Sequence, residues 1–456
     1  VASRGLGDVY KETEISIGLE GRKKGEPVRM VYDREIADDT LNYILKKLNL
    51  DEFDSINPGG KYHNKSDLMK FPTFGRKDLT YPKITPIQQK KAFAEKSFFR
   101  YFSKNDHLMY APYHDYSLFL KFLREAAIDP KVKKIKITIY RVAKDSQVLN
   151  SLINAAINGK DVTTVLELRA RFDEANNVNW SKRLQDAGVH VIFGVPGLKV
   201  HSKIGYIERE AEEGLSQKYA FISTGNFHAG TAKVYTDYTF FTSKPEITNE
   251  IEGLFNFFGA NYLSHSYKKL MVSPFQTRKR LVKFIKREIK NKQKGLPAGI
   301  NLKLNSLSDK NIIDLLYEAS SKGVPVRLVV RGIHCLIPQE KDLSDKIHSI
   351  SVVDKFLEHP RVYWFCNGGE NSVYISSADI MERNLDFRIE VACPIEDPKL
   401  KQIVMDTFDL SFTDNVKARI HDKTTSLTYQ INDLPHNRSQ FTIYDYLQQL
   451  EEGDEN

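Results

Sequence analysis

The 456-residue sequence is poor in cysteine: it has three, Cys335, Cys366 and Cys393, and none forms a CxxC pair. An odd number without paired spacing argues against a disulfide framework or a structural zinc site, and makes a reducing cytoplasm the simplest compartment. No apolar run approaches the roughly 18–20 residues needed to span a bilayer. Charges begin at Arg4, so the start does not read as a signal peptide. The first residue is Val1 rather than Met, and the chain reads as a fragment or a processed form. Several common catalytic signatures are also missing: GxxxxGK[ST], GxGxxG after a strand, HExxH and GxSxG. A nucleotide, if one binds, is held without the usual phosphate loop.

What is present is the composition of a soluble globular protein, 41% hydrophobic and 28% charged, of a length that predicts two or three domains. The net charge of +8 points to a polyanionic partner such as nucleic acid, a membrane surface or phosphate chains, with solubility alone as the plain alternative. Residues 1 to about 85 read as a partial helical region. Asp38–Leu48 has helical apolar spacing with Asp39 as cap, Asn57-Pro58-Gly59-Gly60 reads as a turn, and 71–86 as a connector.

From about residue 88, strands and helices alternate, which predicts βαβ units on a largely parallel sheet. Ile135–Tyr140, Val162–Leu168 and Val189–Phe193 read as strands, Ser146–Asn158 and Trp180–Ala187 as helices. The order recurs later, with strands at Leu302–Leu304 and Val326–Val330 and a helix at Asp309–Ser321. An offset of 164 residues takes Gly159 to Gly323, and also Asp145 to Asp309, Leu152 to Leu316, Ala155 to Ala319, Val162 to Val326 and Val165 to Val329. A histidine beside a base follows those glycines by 42 and 36 residues, in His201-Ser202-Lys203 and His359-Pro360-Arg361. Each is followed by a small-polar turn, Ser223-Thr224-Gly225-Asn226 or Ser376-Ser377-Ala378-Asp379. This predicts two related domains, each bringing one histidine to a shared cleft.

Neutral imidazole is nucleophilic near neutral pH and suits phosphoryl transfer, so His201 is the candidate nucleophile. Lys203, two residues on along a strand, would share its face and gather phosphate oxygens. Asn226 could bond the ring or a phosphate, and His359 could act as acid across the cleft. For each histidine the bland reading is a structural one; His114 and His228 are the next candidates. Arg141, Arg169, Arg171 and Arg331 follow strands, where a guanidinium fork would clamp phosphate, or where it could make a surface ion pair. Tyr235 could stack on a base or contact a phosphate, while Tyr235 and Tyr238 could equally be core residues.

His201-Ser202-Lys203 with Ser223-Thr224-Gly225-Asn226 resembles the HxK and GxxN pattern of the phospholipase D-like superfamily. The fuller text resembles polyphosphate kinases of the long, histidine-phosphorylating bacterial type. The similar stretches include Ile139–Ala143, Ala170–Glu174, Pro196–His201, Thr224–Phe227, Val234–Tyr238, Val330–Gly332 and Leu357–Tyr363, with Asn57–Gly60 and Tyr62–Asn64 upstream. The resemblance implies an α/β fold of two phospholipase D-like α/β domains in tandem, 88–268 and 269–456, preceded by a partial helical domain and linker, 1–87. It implies reversible transfer of the ATP γ-phosphate to the end of a polyphosphate chain, with ATP and ADP as substrates and Mg2+ as cofactor. It implies that His201 carries the phosphate, assisted by His359, Lys203 and Asn226. Tyr235, Arg331 and His359 would meet ATP, and Arg141 and Arg171 would stand at the magnesium site. An arginine has no lone pair for a metal, so those two are expected on phosphate oxygens beside the ion. The partners implied are polyphosphate and ATP, with no nucleic acid and no integral membrane contact, in a cytoplasmic homo-oligomer that could sit peripherally at the inner membrane face. Two departures make the halves unequal. Where an HxKxxxxD motif would have Asp stands Glu208, and the second half has Arg361 for Lys and Cys366 for Asp. This inequality favours a kinase over the alternative, a phospholipase D-like phosphodiesterase or nuclease; a non-catalytic polyanion-binding module is the third reading.

Overall fold

A computed structural model of the chain describes residues 17–18, 25, 27, 29–51, 54–62, 68, 71–140, 145–167, 174–211, 215–263, 265–424 and 426–453. Two compact units result, 1–84 and 85–456.

In the first unit, strand β1 (Arg29–Asp33) pairs in parallel with β2 (Ser55–Gly59) around helix α1 (Asp38–Leu48). The helix is where its pattern predicts it, but Ala37 is its N-cap and makes no side-chain cap bond; Asp39 instead accepts from the Thr40 N–H at 2.7 Å. Asp38 and Asp39 in the first turn and Lys46 and Lys47 in the last complement the helix dipole. The turn expected at Asn57-Pro58-Gly59 is strand. Pro58 is tolerated there because, among the described residues, each of the two paired strands has a free edge.

The second unit opens with short helices α2 (Lys90–Ala94) and α3 (Phe98–Lys104), strand β3 (His107–Ala111) and helix α4 (Ser117–Ile128). The first repeat follows as β4 (Val132–Ile139), α5 (Gln147–Ile157), β5 (Asp161–Leu166), α6 (Glu174–Asp186) and β6 (His190–Ile192). Then come β7 (Lys199–Val200), β8 (Lys203–Glu210), β9 (Ser216–Ser223), β10 (Tyr235–Thr242) and α7 (Pro245–Gly259). The second repeat runs β11 (Met271–Ser273), α8 (Thr277–Gln293), β12 (Ile300–Leu304), α9 (Lys310–Ser321), β13 (Val326–Val330) and β14 (Ile347–Val352). It closes with β15 (Leu357–Glu358), β16 (Arg361–Phe365), β17 (Ser372–Ser376), α10 (Glu382–Asp386), β18 (Arg388–Pro394), α11 (Pro398–Phe412), β19 (Ala418–Ile420) and α12 (Ser439–Gly453).

The sheets are mixed rather than largely parallel. Strands β4, β5 and β6 are parallel, as are β12, β13 and β14, but β8, β9 and β10 extend the first sheet from β4, and β16, β17 and β18 the second from β12, each antiparallel to its neighbour. The repeat holds at its punctuation. Gly159 and Gly323 both take positive φ, 78° and 82°, a conformation that costs glycine little. The caps are Ser146, which accepts from the Leu149 N–H, and Asp309, which accepts from the Ile312 N–H. Equal spacing selects Asp145, but α5 is one residue shorter than α9.

The two cores differ in chemistry. The first is aromatic: Phe99, Phe102, Phe119, Phe122, Phe221 and Phe241 are buried, with the Phe102 and Phe241 rings stacked at 4.8 Å. The second is mainly aliphatic, built on residues such as Ile300, Leu302, Leu316, Val326 and Leu328. Each such side chain contributes about 1.5–3 kcal/mol on full burial. Glu250 on α7 pins the junction between them by accepting from the N–H groups of Lys268, Lys269 and Leu270 at 2.6–3.0 Å. Among the described residues, no helix is long and apolar enough to cross a membrane.

Each repeat lends a strand to the other's sheet. The short β7 pairs in parallel with β18, Lys199 opposite Arg388 and Val200 opposite Ile389. The short β15 pairs in parallel with β10, Tyr235 opposite Leu357 and Thr236 opposite Glu358. Each lent strand runs directly into a candidate histidine.

Candidate active site

His201 stands in a break between β7 and β8, not on a continuous strand. Its N–H and that of Ser202 both donate to the Ile389 carbonyl, at 3.0 and 2.8 Å, so the exchanged strand fixes its backbone. Its Nδ1 lies 2.8 and 2.9 Å from the two carboxylate oxygens of Glu390. Burial pushes the imidazole down to about 3; Lys203 and Arg388 add to that, against the opposing pull of Glu390. Burial alone would raise the Glu390 carboxyl, but His201, Lys203 and a Ser377 hydrogen bond hold it below its ordinary value. The pair is therefore neutral imidazole and carboxylate. A carboxylate has no proton to give, so Nδ1–H is the donor and the lone pair sits on Nε2. Among the described residues, nothing hydrogen-bonds that Nε2. The side chain is 13% exposed.

Glu390 is held in turn. Ser377 Oγ donates to its Oε2 at 2.5 Å and Asn384 Nδ2 to its Oε1 at 2.7 Å.

The second half repeats this with the partners exchanged. His359 Nδ1 is 2.8 Å from both oxygens of Asp237, and Thr224 Oγ1 donates to Asp237 at 2.6 Å. Burial lowers the His359 imidazole, helped by Arg361 and Arg331 and opposed by Asp237. Its Nε2 is occupied, however: Arg361 Nη1 donates to it at 3.2 Å. Arg361 also donates to Asp379, Nη2 to Oδ2 at 3.0 Å. Burial would raise the Asp379 carboxyl, but Arg361 and the N–H groups of Ser306 and Asn305 keep it low. Among the described residues, only His201 of the two presents a free lone pair.

The expected residues are mostly gathered here. Lys203 is buried and turns back so that its ammonium donates to the His201 carbonyl. Burial drops it to about 7, with Arg361 and Arg388 adding and Glu390 opposing. Arg331 donates from Nε to Asn305 Oδ1 at 2.6 Å, and Asn305 donates to the His359 carbonyl. The Tyr235 ring centroid is 5.3 Å from that of His359, whereas Tyr238 is a core residue bonded to Thr407. Asn226 bonds neither histidine; its Oδ1 is buried without a hydrogen-bond partner among the described residues. His114 and His228 are structural: each accepts backbone N–H groups, from Tyr110 and from Gly230 and Thr231. Glu208 pairs with Lys134, outside the histidine network. Arg141, Arg169 and Arg171 lie outside the described residues, as do His63 and Asn64.

Sequence reasoning missed Glu390, Asp237, Asp379, Asn384, Asn305 and Arg388. A signal existed for the first two. Each carboxylate follows its small-polar turn by 13 residues, Thr224 to Asp237 and Ser377 to Glu390.

Three consecutive family models match the chain: polyphosphate kinase middle domain at residues 12–71, C-terminal domain 1 at 97–264 and C-terminal domain 2 at 270–440. A polyphosphate kinase of Escherichia coli (strain K12) is 49% identical over 455 residues, which cover 98% of this chain and 66% of that protein. One of Vibrio parahaemolyticus is 45% identical over 439 residues, 96% of this chain and 63% of the relative. The chain thus spans just under two thirds of the length of these relatives. The crystal structure of polyphosphate kinase from Porphyromonas gingivalis superposes with a TM-score of 0.85 at 36% identity, over 94% of this chain and 66% of that one.

Proposed function

The chain belongs to the polyphosphate kinase family, and from that premise we propose that it moves the γ-phosphoryl group of ATP to the end of a polyphosphate chain, and back, through a phosphohistidine at His201. The observation that carries this is the unequal pair: among the described residues nothing bonds the His201 Nε2 lone pair, while that of His359 accepts from Arg361.

Nε2 of His201 attacks the γ-phosphorus in line. The N–P bond forms, the bond to the bridging oxygen breaks, and ADP leaves with that electron pair. A terminal oxygen of polyphosphate then attacks the phosphorus, and the N–P bond returns its electrons to the ring. Glu390 stays ionised and stabilises the positive charge on the phosphorylated imidazole. Arg361, which donates to His359 Nε2, and Arg331, which donates to Asn305, are assigned to charge stabilisation of the transferring phosphoryl group. Tyr235 and His359 are assigned to the nucleotide phosphates. Residues 88–268 and 269–456 act as the two domains.

Among the described residues, no group of three or more His, Cys, Asp or Glu side chains could hold a metal ion. Arginines cannot ligate one, and magnesium needs no such protein cage when substrate phosphates and water complete its shell. Magnesium would arrive on the nucleotide phosphates.

The test is labelling from γ-labelled ATP. The expected product is acid-labile, base-stable protein label that His201→Ala abolishes. Label that survives His201→Ala unchanged would sink the assignment. Diester hydrolysis in chelator, without label, would favour the phosphodiesterase instead.

A further inference from the structure

Helix α8 (Thr277–Gln293) carries eight basic residues and one acid, Glu288, which is buried. The basic residues divide by type. The arginines are tied into the fold: Arg278 to Asp309 and Asp386, Arg280 to the carbonyls of Lys268, Lys269 and Leu270, and Arg287 to Glu288 and Ser372. The exposed stripe is all lysine. Lys279, Lys283, Lys286 and Lys290 recur at helical spacing on one face, and none has an ion-pair partner among the described residues. They span about 17 Å along the helix. A face that merely solvates usually alternates signs, because like charges at i,i+4 destabilise a helix.

Three observations fix the kind of partner. The apolar face of α8, with Leu281, Phe284, Ile285 and Ile289, is buried in the second core, so none of it is left to enter a bilayer. No exposed side chain of the helix is aromatic, so bases have nothing to stack on. The first turn stands at the catalytic end of the sheet. Arg278 bonds Asp309, just beyond the β12 end that carries Asn305, and Asp386, on the short helix whose Asn384 holds Glu390. The stripe therefore leads away from the site along the outside of the second half.

We infer that the lysine face of α8 is an outer track for a linear, baseless polyanion. Resting on the kinase reading above, that polyanion is the body of the polyphosphate chain whose end is at His201. Lysines suit a flexible chain, since a mobile point charge demands no fixed geometry.

The test is one variant carrying Lys279→Gln, Lys283→Gln, Lys286→Gln and Lys290→Gln together, and a second with Arg at the same four positions. Long-chain polyphosphate and tripolyphosphate are the probes, and binding is followed as salt is raised. Expected for the Gln variant is about tenfold weaker binding of the long chain at low salt, with the loss shrinking as salt screens the charges. Tripolyphosphate binding and His201 labelling stay unchanged, and the Arg variant restores long-chain binding. Equal long-chain binding by parent and Gln variant at every salt overturns the track. So does an equal loss for tripolyphosphate, or a loss confined to phosphatidylglycerol vesicles or single-stranded RNA. If the parent takes no label at His201 yet long-chain binding still depends on the lysines, the kinase reading falls and the track stands.

Discussion

His201, from the first half of the chain, hydrogen-bonds through Nδ1 to Glu390, from the second, at 2.8 Å. That carboxylate sets the tautomer, and in the proposed mechanism it meets the positive charge that phosphorylation would put on the ring. Glu390→Gln keeps the shape and loses the charge. Labelling of His201 should slow by about a hundredfold to ten-thousandfold, measured in single-turnover quench experiments. A rate within about twofold of the parent would remove Glu390 from the mechanism.

Arg361 is buried and its charge is met by Asp379. Asp379→Asn leaves a buried guanidinium without its carboxylate. Urea unfolding should show a stability loss of about 3–5 kcal/mol. A loss below about 1 kcal/mol would mean that solvent or another acid compensates Arg361.

A methyl group on Gly225 would stand 2.0 Å from Asp237 Oδ2 and 2.2 Å from its Cγ. Gly225→Ala must displace the carboxylate that His359 and Thr224 hold. It should cost about 1–3 kcal/mol and lower phosphoryl transfer to polyphosphate. Gly259→Ala, with nothing within 4 Å, is the control and should leave transfer unchanged. Equal activity in both variants would show that Asp237 can move freely.

Burial lowers His107 and His201 to about 3, and His114 and His334 to about 4. The unfolded chain protonates these groups near 6.5 while the folded chain does not, so unfolding takes up protons below that value. Stability is fully present above pH 6.5 and is lost as pH falls towards 4 and then 3. The urea midpoint should drop over that window. Labelling of His201, normalised to folded protein, should continue below pH 6.5. A midpoint that rises between pH 6.5 and 4 would contradict the burial of these rings.

Elements written in local pattern were legible. Strand Val326–Val330 and helix Asp38–Leu48 stand where apolar spacing puts them, and the Gly159 and Gly323 stops hold because each needs positive φ. The histidines were legible because the repeat set them side by side with Lys203 and Arg361. Their carboxylates were not. His201 and Glu390 are 189 residues apart, and only the strand exchange brings them together, an event with no local signature. The antiparallel strands of each sheet were hidden for a related reason: pairing partners are chosen by the whole sheet. Asn57-Pro58-Gly59 read as a turn on residue type, yet it pairs with Val31–Asp33 because an edge tolerates proline.

The exchange of β7 and β15 also bears on timing. While the chain is being synthesised, the segment ending at β10 contains His201 but neither the strand that seats it nor Glu390. The hydrogen bond at Nδ1 cannot form until translation has passed residue 390 and β7 has paired with β18. A product truncated before β18 would therefore keep His201 yet lack both the strand that seats it and the carboxylate that fixes its tautomer.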